Sequence, residues 1–183
     1  AISGYVDNPA YPHVVLYYNL TPPAGETTFR RAEPAVIVTD LDPSTQFSNE
    51  IVIIAENMYE SLTQVNPNGD VVGVLAKNWT KSADGLIWNF TLRDNVKFHD
   101  QTPMNSTAVK LSIERTYRMY TTIGAGAGFI WDCVENMTTF DADPYLIQFK
   151  LNFPAPLDRI AAASYASWIF SPKVFEHGND TQI

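Results

Sequence analysis

The sequence predicts an α+β fold on three observations. Residues 86–92 and 145–151 alternate apolar with other side chains, the period of two that marks a half-buried strand. Residues 106–120 instead place apolar side chains on one face of a helix. The 183 residues are enough to bury a core, and an aromatic content of 13% excludes an intrinsically disordered chain.

The first part of the chain divides into an arm and the beginning of a core. Residues 1–34 are rich in Tyr and Pro, and we expect an arm that wraps over the core, since proline limits regular structure. Residues 35–39 form a β-branched run that predicts a buried strand. Ser48 is a suitable N-cap for a following helix. The apolar stripe of that helix consists of Ile51, Ile54, Ala55, Met58 and Leu62.

Turn signals and alternation predict the elements that follow. Residues 66–70 and the Asp84-Gly85 pair carry turn residues. Between 86 and 92 the even-numbered side chains point inward, which sends Asn89 outward. Residues 124–128 contain three glycines that end the helix at 106–120, and we expect a flexible loop there. A short helix over 157–164 and a strand over 168–171 complete the pattern.

Composition excludes several classes of partner. The formal net charge is −8 with only 12 Lys and Arg residues, whereas nucleic acids and anionic membranes attract clustered basic residues. We therefore expect no nucleic-acid partner. No apolar run reaches the length of a membrane helix. The first residues lack the features of a signal peptide, which suggests a chain already trimmed.

Residues with catalytic or metal-binding chemistry are scattered. His13, His99 and His177 have no spacing suited to a metal site, and Cys133 has no sequence neighbour that would activate it. The glycines of 124–128 follow a helix rather than a strand, so they do not predict a phosphate-binding loop. We predict no catalytic residue, no metal, no cofactor and no enzymatic activity.

Acceptor motifs for N-glycosylation indicate an extracytoplasmic location. Six Asn-x-Ser/Thr motifs occur, where the composition gives about 2 by chance. Their asparagines are Asn19, Asn78, Asn89, Asn105, Asn136 and Asn179. We expect glycans at Asn89 and Asn105 before Asn78 or Asn19, because Asn89 faces outward and Trp79 next to Asn78 needs burial.

Ordered motifs give the chain a resemblance to a known family. They are Leu-Asp-Pro at 41–43, Asn-Met-Tyr-Glu-Ser-Leu at 57–62, Leu-Ala-Lys-Asn-Trp at 75–79, Ser-Ala-Asp-Gly-Leu at 82–86 and a long block at 88–100. Residues 35 to about 173 thereby resemble the N-terminal part of extracellular solute-binding proteins of family 5, the peptide, oligopeptide and nickel-binding group of ABC importers. Gln101 stands where the family usually has Gly, and Ala108 replaces the usual Asp.

The resemblance implies a partial periplasmic-binding-protein-like fold (class II, family 5 type). Residues 35–62 correspond to the start of lobe I and 63–172 to the small accessory β-rich domain. Residues 173–183 correspond to a return segment toward a missing remainder, and 1–34 form the arm. The chain therefore resembles a fragment of a longer protein.

The resemblance also implies a function without a cofactor. The protein would capture peptides or similar small solutes outside the cytoplasmic membrane, at the cell surface or in a periplasm, and deliver them to a membrane ABC permease. The candidate ligand-binding residues are Thr45, Gln46, Phe47, Ser48, Phe129 and Trp131. The alternative is a surface structural or assembly subunit with no transport ligand, which self-associates when its arm adds as a strand to a neighbour.

Overall fold

Alternating segments of the chain pair into an antiparallel sheet that is covered on one face by a long helix. The computed structural model describes residues 42–45, 52 and 55–175, all within one compact unit, Thr39–Ile183. The described strands are β1 (Thr63–Val65), β2 (Val71–Gly73), β3 (Ala76–Lys81), β4 (Ile87–Leu92), β5 (Val134–Phe140) and β6 (Asp143–Leu151). The helices are α1 (Ser106–Ile123) and α2 (Leu157–Ile160), with 3₁₀ turns at Gly128–Trp131 and Pro172–Phe175.

The main sheet has the strand order β3-β4-β6-β5, and β1 pairs with β2 in a separate hairpin. The predicted alternation of β4 is confirmed, since Trp88, Phe90 and Leu92 are all buried. Phe90 meets Phe149 of β6 edge to face, with 5.5 Å between ring centroids. Helix α1 packs against β5 and β6, so these rings lie in the core between sheet and helix.

Helix α1 extends the predicted helix by one turn and has defined ends. The Asn105 side chain accepts a hydrogen bond from the backbone N–H of Ala108 at 2.9 Å and caps the first turn. Gly124 ends the helix in the left-handed conformation, and its N–H reaches the carbonyls of Met119 and Tyr120. Its buried residues are Ser106, Ala108, Val109, Ser112, Ile113, Arg115, Thr116 and Met119.

The two predicted turns are confirmed. The side-chain oxygen of Asn66 accepts hydrogen bonds from the N–H groups of Asn68 and Asp70, which closes the hairpin between β1 and β2. Gly85 adopts a φ of 73° between β3 and β4, and its N–H donates to the carbonyl of Ser82. These turns set the register of the strands that they join.

Several elements differ from the sequence-based prediction. Met58 is 42% exposed rather than part of a buried stripe, because the helical turn that contains Val52 and Ala55 ends before Glu60. The predicted strand at 168–171 is a single bridge between Ile169 and Glu60. Helix α2 is shorter than predicted. The arm at 1–34, the strand at 35–39 and the first part of the helix that follows Ser48, including Ile51 and Ile54, lie outside the described residues.

Gln101 occupies a backbone conformation that favours glycine. Its φ is 70°, in a turn where its N–H donates to the carbonyl of Phe98. We expect Gln101→Gly to stabilise the protein by about 0.5–1 kcal/mol, because the left-handed strain exceeds the entropy that glycine loses on folding. Urea denaturation measures the change. Gln101→Ala is the control, since it keeps the Cβ atom, and equal stabilisation by both variants would contradict this explanation.

Candidate functional site

A polar turn at residues 42–45 lies at the centre of the candidate site, and we call it the Asp42 turn. The Asp42 carboxylate accepts a hydrogen bond from the N–H of Ser44 at 2.9 Å, and the Asp42 carbonyl accepts one from the N–H of Thr45 at 3.2 Å. Pro43 occupies the position after Asp42, where its fixed φ suits a turn. The local sequence Asp-Pro-Ser-Thr therefore forms the turn with its own donors and acceptors.

A buried ion pair fastens the Asp42 turn to α1. The Arg115 guanidinium donates from Nη1 to Oδ1 of Asp42 at 2.7 Å and from Nη2 to Oδ2 at 2.6 Å. The two side chains are only 1% and 3% exposed, and the guanidinium carbon lies 5.9 Å from the centre of the Phe170 ring. A bidentate pair in such a site fixes both distance and orientation. The turn is therefore rigidly positioned.

A second polar contact joins the Asp42 turn to α1, two residues further along the turn and one residue further along the helix. The hydroxyls of Ser44 and Thr116 are 3.0 Å apart, and both residues are buried. Buried hydroxyls need such partners, because an unpaired polar group in the core costs free energy. Together the two contacts join both sides of Pro43 in the turn to two adjacent residues of α1.

The glycine-containing loop at 124–128 makes close backbone contacts at two of its glycines, and its predicted flexibility stays a prediction. Gly126 has a φ of 70°, and a Cβ atom there would lie 2.3 Å from the carbonyl oxygen of Ser44. At Gly128 a Cβ atom would lie 2.6 Å from the carbonyl oxygen of Thr116. The absence of side chains lets this loop touch both the Asp42 turn and α1.

Gly126 and Gly124 offer a matched pair of substitutions. Both have positive φ, but a Cβ atom at Gly124 meets nothing within 4 Å. We expect Gly124→Ala to cost about 1–2 kcal/mol of unfolding free energy from backbone strain alone. Gly126→Ala should cost clearly more, because it also clashes with the backbone of Ser44. Chemical denaturation compares the two, and equal costs would contradict the close contact.

The structure separates the predicted ligand residues. Phe129 is 47% exposed and meets Tyr120 edge to face at 5.9 Å, while Thr45 is half-buried. Trp131 is a core residue with 2% exposure, and its indole N–H donates to the carbonyl of Ala166 at 2.8 Å. Its burial corrects the expectation of an accessible ring. Gln46, Phe47 and Ser48 lie outside the described residues.

Sequence reasoning missed a groove of about 570 Å³ beside the Asp42 turn. Its floor includes Asp42 and Arg115, and its rim carries Glu56, Glu60 and Asp100. The apolar walls are formed by Leu75, Val96, Phe98, Met104, Ile169 and Phe170. Because these residues come from six separate segments of the chain, no single sequence motif predicts the groove.

Asp100 gives the groove a permanent negative charge at its rim. The Ser171 hydroxyl and the Thr102 N–H donate to its carboxylate, and these hydrogen bonds lower the pKa of Asp100 to about 2. The group is therefore ionised at any physiological pH. The groove therefore combines apolar walls with a rim that carries acidic side chains and the cation Lys97.

Catalytic and metal-binding groups do not converge at this site. Among the described residues, no three His, Cys, Asp or Glu side chains form a group able to hold a metal ion. Cys133 is a buried thiol whose pKa is raised by burial. Within the same part of the chain, no helix is both long enough and apolar enough to span a bilayer.

The glycosylation motifs differ in exposure from the expected order. Asn78 and Asn136 are exposed, whereas Asn89 and Asn105 are half-buried and use their amide oxygens as hydrogen-bond acceptors. Trp79 is half-buried rather than buried, and Asn78 stays exposed beside it because neighbouring residues of a strand face opposite ways. Asn19 and Asn179 lie outside the described residues.

Comparison with known proteins identifies the family. Residues 70–182 match the model described as "Bacterial extracellular solute-binding proteins, family 5 Middle". The chain belongs to this family. The resemblance of its motifs to family 5 is thereby confirmed.

Relatives in this family have names that refer to peptide ligands. The chain is 34% identical over 147 residues to the probable D,D-dipeptide-binding periplasmic protein DdpA of Escherichia coli, covering 76% of this chain and 27% of that protein. It is 31% identical over 106 residues to the periplasmic murein peptide-binding protein MppA of the same organism, covering 56% of this chain and 20% of MppA. The chain therefore spans about a quarter of the length of these family 5 relatives.

A solved structure confirms the fold. OppA of Burkholderia pseudomallei superimposes with a TM-score of 0.66 at 21% sequence identity, over 78% of this chain and 30% of that protein. The predicted periplasmic-binding-protein-like fold is thus confirmed, as a partial α+β unit of the family 5 type. An identity this low shows the fold alone.

Proposed function

We propose that this chain is part of the extracytoplasmic substrate-binding protein of an ABC importer. It would capture peptides or similar small solutes and deliver them to a membrane permease, without a cofactor and without chemical turnover. The observation that carries the proposal is the 34% identity to DdpA across three-quarters of the chain. The scattered His and Cys residues support binding rather than catalysis.

The two adjoining loops of the site suit a peptide-like solute. Gly126 contacts the backbone of Ser44 and lies close to Thr45, and Phe129 follows the tightly packed Gly128. Thr45 would offer a hydroxyl to a peptide backbone, and Phe129 an exposed apolar ring. Binding sites commonly combine apolar surface with a few fixed polar groups. The ion pair of Asp42 with Arg115 would hold the Thr45 side of this arrangement in place.

A titration of the native protein against a pool of short peptides tests the proposal. We expect measurable heat of binding, and Phe129→Ala should weaken the affinity about 10-fold or more if the ring contacts the solute. Phe153→Ala is the matched control, because Phe153 is also an exposed phenylalanine, at 53%, on another segment. No binding by any peptide would overturn the proposal, and equal losses in both variants would exclude Phe129 from the site.

The alternative function is a surface assembly subunit that self-associates through the arm at 1–34. The residues of the arm lie outside the described part of the chain. The relatives named above have names that describe binding proteins, which favours the importer component over this alternative. The intact mass of the native protein discriminates between the two functions. A mass several tens of kilodaltons above 20.5 kDa supports the importer component, and a native mass equal to that of the chain supports the subunit.

A further inference from the structure

Three glycosylation motifs that are distant in sequence lie on one face of the main sheet. Thr80 pairs with Asn89, and Asn89 pairs with Gln148, so these side chains project from the same side. Asn78 lies two residues before Thr80 on β3 and shares its face. On β5, Thr138 pairs with Gln148, and Asn136 shares the face of Thr138. We call this side of the sheet the outer face.

The outer face is opposite the core. Phe90, Ile147 and Phe149 occupy the alternate positions of β4 and β6 and are buried with α1. The outer side chains are mostly amides and hydroxyls, with half-buried Ile87 and Leu146 among them. The polar members are Asn78, Thr80, Asn89, Thr91, Asn136, Thr138, Gln148 and Lys150. A glycan needs an exposed polar position, and the exposed asparagines of this face are Asn78 and Asn136.

The three acceptors on the outer face differ in accessibility. Asn78 lies on β3 and Asn136 on β5, the two edge strands, and both residues are exposed. The amide nitrogen of Asn136 lies 3.3 Å from the hydroxyl of Thr138, the residue that completes its motif. Asn89 lies on the interior strand β4, is half-buried and accepts a hydrogen bond from the Gln148 amide at 2.9 Å. Only the edge positions leave room for a bulky group.

We propose that the outer face is N-glycosylated at Asn78 and Asn136. The donor would be an oligosaccharide joined through its anomeric carbon to a polyprenyl phosphate carrier, and a membrane oligosaccharyltransferase would catalyse the transfer. The asparagine amide nitrogen forms a bond to the anomeric carbon as the carbon–oxygen bond to the carrier breaks. The amide loses one proton to a base of the transferase, and the carrier phosphate leaves with the bonding electrons.

Glycans at these two positions would protect both edges of the sheet. Edge strands present unpaired N–H and C=O groups to which other chains can add. One glycan would stand at each edge, at β3 and at β5, because the strand order places these strands outermost. The modification depends on the extracytoplasmic location proposed above but not on solute binding, which the peptide titration tests separately.

Secretion of the full chain by a cell that contains an oligosaccharyltransferase tests the inference. Peptide mass spectrometry should find glycans at Asn78 and Asn136 in most molecules. Thr80→Ala and Thr138→Ala each remove one motif and keep its asparagine, so each variant should lose the mass of one glycan. Thr80→Ser preserves the motif and should keep the glycan.

The motifs at Asn89 and Asn105 provide the controls. Thr91→Ala and Thr107→Ala remove these motifs and should leave the mass of the secreted protein unchanged, apart from the substitution itself. A secreted chain that carries no glycan at Asn78 and Asn136 would overturn the inference. Modification chiefly at Asn89 or Asn105 would also overturn it, because accessibility at the sheet edges would then not decide the site.

Discussion

Trp88→Ala is expected to lower the free energy of unfolding by about 3–5 kcal/mol, because it removes a large ring from a packed core. The Trp88 side chain is 3% exposed and stacks on Phe90, with 6.3 Å between ring centroids. Its indole N–H donates to the carbonyl of Gly85 at 3.2 Å, and the Lys81 ammonium lies 5.6 Å above the ring. Truncation therefore removes apolar burial together with two polar contacts.

Asn89→Gln is the control for this prediction. Asn89 is adjacent to Trp88 but faces the outer side, where its amide contacts Gln148. The longer amide should cost at most about 1 kcal/mol, the scale of one hydrogen bond. Urea or thermal denaturation measures both variants. Comparable losses at the two positions would contradict the assignment of the faces of β4.

Arg115→Met is expected to destabilise the protein by about 3–5 kcal/mol, because it leaves the Asp42 carboxylate buried without its charge partner. Met has a similar length and no charge, so the loss reports mainly on the ion pair. The variant should also release the Asp42 turn from α1. Denaturation gives the stability, and hydrogen exchange of the Ser44 and Thr45 amides reports on the turn.

A double-mutant cycle separates the ion pair from packing. Asp42→Leu combined with Arg115→Met removes both charges, and the double variant should be more stable than Arg115→Met alone. Purely additive losses would show that the two side chains do not interact energetically. They would thereby contradict the bidentate geometry described above.

The strands that were predicted from sequence are those with one fully buried face. In β4 and β6 every second residue is apolar, and both strands lie in the interior of the sheet. Period-two alternation is strongest where burial acts on one side only. Helix α1 was predicted for the same reason, because its apolar residues recur with the period of a helix and lie on one face.

The edge strands were not predicted individually, because bulges interrupt their alternation. The register of β3 shifts between Ala76 and Asn78, and that of β5 shifts between Val134 and Asn136. A bulge places two consecutive residues opposite one partner and thus breaks the period of two. The exposed polar residues of β3 and β5 therefore gave a sequence pattern typical of loops.

The buried ion pair between Arg115 and Asp42 was also missed, although the sequence contains one signal for it. An arginine in a helix usually lies on the solvated face. Arg115, however, lies four residues before Met119 and three after Ser112, in line with buried positions of α1. Its partner Asp42 is 73 residues away, and sequence separation of this size hides the contact.

Glu60 and Ile169 bring the two ends of the segment 61–168 side by side. The Ile169 N–H donates to the Glu60 carbonyl at 2.9 Å, and the hydroxyls of Ser61 and Ser167 are 3.0 Å apart. A segment whose ends meet in this way can be inserted into, or removed from, a host domain without stretching the host chain. The region between them therefore has the geometry of an insertion, because its removal would leave the two flanking chain ends already in contact.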